Sequence, residues 1–179
     1  MTIAALLASS RSSGNTRTLL DLAFPAGDIA VEDLAKLKLG FYAYDSQNDG
    51  DDFLPLVTRL LPLDTWVIAT PLYWYTMSAQ AKTFLDRLSA LLDVHKEQGR
   101  MLRGKRLAVL CSGTDPAPPP SFDEPFRLTC TYLGIQFLGT HYAQFGRFHP
   151  ARPEARRDAE SFARTILKRD TLHLPNERP

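Results

Sequence analysis

With 179 residues and a formal net charge of +1, the chain is sized for one domain and has no charge excess that would favour nucleic acid or an anionic membrane as a partner. Its two cysteines, Cys111 and Cys130, stand in no metal-ligand or disulfide spacing, so no metal is expected and a reducing compartment, the cytoplasm, is. No apolar run approaches membrane-spanning length, and the apolar start is too short for a cleavable leader, so no membrane partner is expected.

Residues 3–8 are apolar throughout, as in a strand covered on both faces of a parallel sheet. The polar stretch Ser9-Ser10-Arg11-Ser12-Ser13-Gly14-Asn15-Thr16 follows. Next comes a helix marked by Leu19, Leu20, Leu22 and Ala23. Hydroxyl, amide and guanidinium groups at a helix N-terminus, with no carboxylate among them and Gly14 to allow a sharp turn, suit the binding of a phosphate. The same residues are also ordinary caps and turn formers.

Residues 25–28 read as a turn, and 29–34 as a second, outer strand. The segment 40–52 reads as a long exposed loop. Asp51 or Asp52 can cap a helix with Phe53, Leu56, Val57, Leu60 and Leu61 on its buried face, ended by Pro62. Residues 66–69 form another all-apolar strand, followed by the loop Thr70-Pro71-Leu72-Tyr73-Trp74-Tyr75-Thr76-Met77. Its three aromatic rings either flank a planar ligand or anchor the loop to the core.

Ser78 is placed to cap a helix with Ala81, Phe84, Leu85, Leu88, Leu91 and Leu92 on one apolar stripe and Lys82, Asp86 and Arg87 off it. The basic segment 96–106 reads as a solvated connection. Residues 107–111 are a further apolar strand, leading into Ser112-Gly113-Thr114 and a proline-rich loop. Ser121 and Glu124 are spaced as a capping box for a helix bearing Phe122, Phe126, Cys130 and Leu133 and stopped by Gly134. Residues 135–145 supply the last strand. Ala155, Ala159, Phe162, Ala163, Ile166 and Leu167 mark the closing helix, and 171–179 are expected to fray beyond a domain covering 1–170.

This alternation predicts an α/β three-layer sandwich around a five-stranded parallel sheet. In the order 2-1-3-4-5, strands 1 and 3 are neighbours where the winding reverses, and ligands lie at that crevice beyond the strands' carboxyl ends. Strand 1 leads into the phosphate-suited loop and strand 3 into the aromatic loop. The loop 112–114 is expected to emerge beside them.

The run Ser10-x-x-x-Gly14-Asn15-Thr16, the pair Asp51-Asp52, the loop Thr70-Pro71-Leu72-Tyr73-Trp74 with Met77-Ser78, and Lys82-x-Phe84-Leu85-Asp86-Arg87 resemble the NAD(P)H-dependent FMN reductases of the flavodoxin-like superfamily. The branch related to iron-sulfur flavoproteins is the most similar, and the likeness spans most of residues 2 to about 145. It implies a flavodoxin-like fold and noncovalent FMN, with the phosphate held by Ser10, Arg11, Ser12, Asn15 and Thr16. The ring would be bracketed by Pro71, Leu72, Tyr73 and Trp74, with backbone N–H groups of 72–74 facing its edge, and Ser112, Gly113 and Thr114 would complete the pocket. NADH or NADPH would be a transient substrate, a quinone, flavin or similar small acceptor would take the electrons, and the chain would form a homodimer or homotetramer.

Iron-sulfur relatives place cluster cysteines where this chain has Phe41, Tyr42, Ala43 and Tyr44, so no cluster is expected. None of His95, His141, His149 and His173 belongs to a ligand pair or a catalytic arrangement, so no acid, base or nucleophile is assigned. The competing readings are a flavodoxin-type electron carrier, a phosphatase, which would need a nucleophile that residues 9–16 do not supply as cysteine, and an FMN-free interaction domain.

Overall fold

The computed structural model describes residues 2–25, 29–44, 48, 50–146 and 153–168. Five strands, β1 (Ile3–Leu7), β2 (Ala30–Asp33), β3 (Thr65–Pro71), β4 (Arg106–Gly113) and β5 (Gln136–Gln144), pair in parallel in the order β2-β1-β3-β4-β5. The helices are α1 (Asn15–Ala23), α2 (Phe53–Leu60), α3 (Ala79–Arg87), α4 (Ala90–Asp93), α5 (Lys96–Arg100), α6 (Glu124–Leu133) and α7 (Pro153–Leu167). None of the described helices is long and apolar enough to cross a membrane.

The run of apolar residues in β1 and β3 follows from their central position, where every residue is buried. The edge strands β2 and β5 are only half-buried over most of their length. One face of the sheet carries Leu19, Leu20, Ala159, Ala163 and Ile166 from α1 and α7. The other carries Phe53, Leu56, Phe84, Phe126 and Leu133 from α2, α3 and α6. There the Phe84 ring lies 6.2 Å from that of Phe53 and 6.1 Å from that of Trp66, whose indole N–H donates to Leu60 O. Emptying such a site costs about 3–5 kcal/mol.

The structure revises several local expectations. The helix after Ser78 breaks at Arg87, and α4 restarts on a rotated face that buries Leu91 and leaves Leu92 outside. Arg87 lies inside rather than off the buried stripe. Its guanidinium pairs with the Asp51 carboxylate, donates to Gly40 O and covers the Phe53 ring. The segment around Gly40 and Asp51 is therefore tied to α2 and α3 instead of hanging free.

Asp51, not the N-cap residue Asp52, accepts from Phe53 N, while Asp52 accepts from Lys38 N. Ser121 and Glu124 form no capping box, because the Glu124 carboxylate bonds Arg127. In the basic segment, Lys105 donates to Leu61 O and Leu63 O. Gly134 does end α6, in the left-handed conformation at φ 70° that glycine tolerates best. The turn expected at 25–28 falls on residues that are largely outside the described ones, and the frayed tail 171–179, His149 and His173 lie wholly outside them.

Candidate functional site

The carboxyl ends of β1, β3 and β4 deliver three loops to one edge of the sheet, and side chains tie these loops together. Thr16, at the start of α1, and Ser112, at the end of β4, have hydroxyls 2.8 Å apart, with only 2% and 3% of each residue exposed. Leu72 N donates to Ser112 O at 2.7 Å, joining the loop after β3 to β4. Ser78 Oγ donates to Ala8 O at 2.7 Å while accepting from Ala81 N, so the cap of α3 also pins the loop after β1.

The first loop presents donors to solvent. Ser10, Arg11, Ser13 and Asn15 are exposed, Ser12 is half-exposed, and Ser9 is buried with its hydroxyl accepting from Arg11 N. No side chain caps α1, and the first backbone bond of its opening turn runs from Thr18 N to Gly14 O. The N–H groups of Asn15, Thr16 and Arg17 thus point outward from the positive end of a nine-residue helix. Gly14 sits at φ −98°, ψ −170°, extended backbone open to any residue, so the expected need for a sharp turn there is not met. A side chain at that position would instead touch Arg11, whose Nε lies 3.4 Å from the place a Cβ would take.

The aromatic loop is a tight hairpin in which Tyr73 N donates to Thr76 O and Thr76 N to Tyr73 O. Its two central residues, Trp74 at φ 48° and Tyr75 at φ 67°, occupy the left-handed region that asparagine and glycine fill more easily. Trp74 is 91% exposed and Tyr75 67%, so these rings do not anchor the loop to the core. The N–H groups of Leu72 and Tyr73 are both committed to carbonyls, which leaves Trp74 as the donor within the stretch 72–74 expected to face the ring. Among the described residues, the N–H groups of Trp74 and Tyr75 have no acceptor.

The third loop is held by two β5 side chains that the sequence reading passed over. Tyr142 OH donates to Asp115 O at 2.6 Å and Gln144 Nε2 to Thr114 O at 2.9 Å. Burial, with the Cys111 thiol and Asp115 nearby, pushes the Tyr142 phenol up to about 12. The only sequence signal for the pair was their i, i+2 spacing on one face of the last strand. Gly113 leaves room for the Tyr142 ring: a Cβ there would meet Tyr142 OH at 2.6 Å and Leu72 Cβ at 3.1 Å.

All twelve residues singled out from the sequence, Ser10, Arg11, Ser12, Asn15, Thr16, Pro71, Leu72, Tyr73, Trp74, Ser112, Gly113 and Thr114, therefore lie on these three loops or the strand and helix ends that bound them. Thr16, Ser112 and Pro71 are buried beneath the others. Among the described residues, no group of three His, Cys, Asp or Glu is placed to hold a metal ion. Burial pushes the thiols of Cys111 and Cys130 up to about 12, and both are free. Burial also lowers His141, whose ring stacks on Phe162, away from the crevice.

Residues 1–150 match the model of the NADPH-dependent FMN reductase family. A Bacillus subtilis (strain 168) protein named as an NAD(P)H-dependent FMN-containing oxidoreductase, YwqN, is 32% identical over 103 residues, 51% of this chain and 54% of the relative. The match thus spans about half the length of that curated relative. Among solved structures, the Trp repressor binding protein of Bacillus subtilis superposes with a TM-score of 0.73 at 25% identity, covering 94% of this chain and 99% of that one. The FMN-dependent NADH-azoreductase of Bacillus anthracis, solved with FMN, gives 0.67 at 11% identity over 94% and 100% of the two chains.

Proposed function

Because the chain belongs to the NADPH-dependent FMN reductase family, we propose that it is an FMN-dependent NAD(P)H oxidoreductase that passes electrons from nicotinamide to a quinone, flavin or similar small acceptor. The observation that carries the reading is the convergence of three loops, locked by the Thr16–Ser112 and Leu72–Ser112 contacts.

The residues at the crevice suit FMN. An uncapped helix N-terminus, the Arg11 guanidinium, the Ser10 and Ser12 hydroxyls and the Asn15 amide make a donor set for a dianionic phosphate, with no carboxylate between residues 9 and 16 to repel it. Thr16 is buried below that set, with its hydroxyl engaged by Ser112 and its backbone N–H left for the phosphate. The Trp74 and Tyr75 N–H groups are donors for the edge of a heterocycle. Bound FMN supplies the redox chemistry, accepting a hydride equivalent and yielding electrons to a second molecule. The chain's own part is to hold the phosphate, orient the ring and leave one face open. No side chain is assigned a proton to move.

The same proposal places the protein in the cytoplasm, in keeping with two free thiols and no disulfide among the described residues. It includes assembly as a homodimer or homotetramer. The supporting feature is a groove of about 610 Å³ between α3–α4 and α6, where Leu92, Leu128 and Tyr132 are exposed and the Lys82–Asp86 ion pair adds no net charge to oppose a second copy.

The test is the visible spectrum of the purified chain with and without added FMN, followed by anaerobic mixing with NADH and NADPH. Uptake of FMN and rapid bleaching by one nicotinamide is the expected result. Uptake without bleaching identifies an electron carrier, and a colourless protein indifferent to FMN overturns the reading.

A further inference from the structure

We propose that Tyr142 is a positioning residue for the flavin pocket: from strand β5 it fixes the loop after β4 in its binding shape, and it can do so only because position 113 has no side chain. This inference rests on the FMN reading above.

Three observations carry it. Tyr142 pairs in register with Cys111, so its Cα lies alongside β4, two residues before that strand ends, rather than over the loop. Its hydroxyl nevertheless reaches Asp115 O at 2.6 Å, passing over Gly113 at a distance no Cβ would permit. The same vacant position is bordered by Leu72, the residue whose N–H is bonded to Ser112 O: a Cβ on Gly113 would stand 3.1 Å from both Leu72 Cβ and the edge of the Tyr142 ring. Tyr142 therefore holds the far side of the loop after β4 while Leu72, from the loop after β3, borders the same gap at Gly113, and Gln144, two residues on, holds the intervening Thr114 carbonyl.

The alternative, that Tyr142 merely fills space, leaves its hydroxyl without a purpose. A half-buried phenol is costly to place next to an apolar wall unless its proton is used. The hydroxyl stays protonated well above neutral pH, since burial raises it, so the contact to Asp115 persists wherever the protein is folded.

The experiment compares wild type with Tyr142→Phe, which keeps the ring and removes only the donor. Asp115 is exposed, so water can take over its carbonyl and the apoprotein should unfold at close to the wild-type temperature. FMN should bind about threefold to tenfold more weakly. The visible circular dichroism of bound FMN should change shape, and exchange of the Thr114, Asp115 and Ala117 amides of the apoprotein should accelerate, neither of which a space-filling ring would cause. The loss should be the same from about pH 6 to about pH 9. A wild-type protein that takes up no FMN overturns the pocket reading itself. Uptake by wild type with an unchanged constant and dichroism in Tyr142→Phe overturns the role given to Tyr142 alone.

Discussion

Thr16 Oγ1 and Ser112 Oγ lie 2.8 Å apart with almost no access to solvent, although 96 residues separate them in the chain. The contact joins the first turn of α1 to the carboxyl end of β4 across the intervening β3. It makes the phosphate-suited loop and the third loop one unit, whichever hydroxyl donates. Removing either hydroxyl strands the other below the crevice. Ser112→Ala is therefore expected to cost about 1–2 kcal/mol in urea unfolding, and to weaken FMN binding in parallel. An unaltered unfolding midpoint would show the pair to be incidental.

The Arg87–Asp51 pair makes a separate prediction about pH. Burial alone would raise the Asp51 carboxyl, but hydrogen bonds from Arg87, Phe53 N and Gly40 N outweigh it and hold the group below the usual carboxylate range. Because the folded pKa is depressed, the stability is present above the unfolded value, near pH 4, and is lost as pH falls through the folded one. Asp51→Asn should flatten this acid limb of the stability curve and leave its shape above about pH 6 unchanged. Arg87→Met, which leaves the part-buried carboxylate with only the Gly40 and Phe53 N–H groups, should cost about 1.5–3 kcal/mol at neutral pH. Both are read by denaturant unfolding across pH.

The central strands and all three site loops were legible because buried parallel strands are apolar on both faces, and because residues 9–16 and 70–77 break that pattern with chemistry of their own, whereas the strand order followed only from the flavodoxin-like fold. Arg87 was not, since its charge argued for the surface and the partner that brings it inside lies 36 residues upstream. The donors of the aromatic loop were also hidden. Which N–H is free depends on a hairpin that closes Tyr73 onto Thr76, and no local propensity predicts Trp and Tyr at left-handed positions. Tyr142 escaped notice for a related reason. Its partner is a backbone carbonyl, which carries no sequence signature.

That hairpin supplies a further prediction. Trp74→Asn with Tyr75→Gly keeps the turn and relieves the strain at both residues, so it should stabilise the protein by about 1–2 kcal/mol. If the two rings flank the flavin, the same variant should retain FMN less well. Thermal unfolding of the apoprotein and FMN titration measure the two effects separately. Higher stability with undiminished FMN binding would remove the rings from the site.

Cys111 and Cys130, with thiols pushed up to about 12 by burial, are expected to resist alkylation of the folded protein at about pH 8 and to react together on unfolding. Mass spectrometry of the native and urea-treated protein checks this. Rapid native labelling of either would contradict its place in the core.

FMN binding depends, in this reading, on the loop after β1 gripping a phosphate. Fluorescence titration of wild type and of Arg11→Ala with Asn15→Ala, two exposed residues whose loss leaves the Thr16–Ser112 contact intact, against FMN and against riboflavin, which lacks the phosphate, is the decisive measurement. Wild type should prefer FMN, and the double variant should bind FMN about tenfold or more weakly while its riboflavin affinity changes little. Equal FMN affinity in the two proteins would contradict the claim.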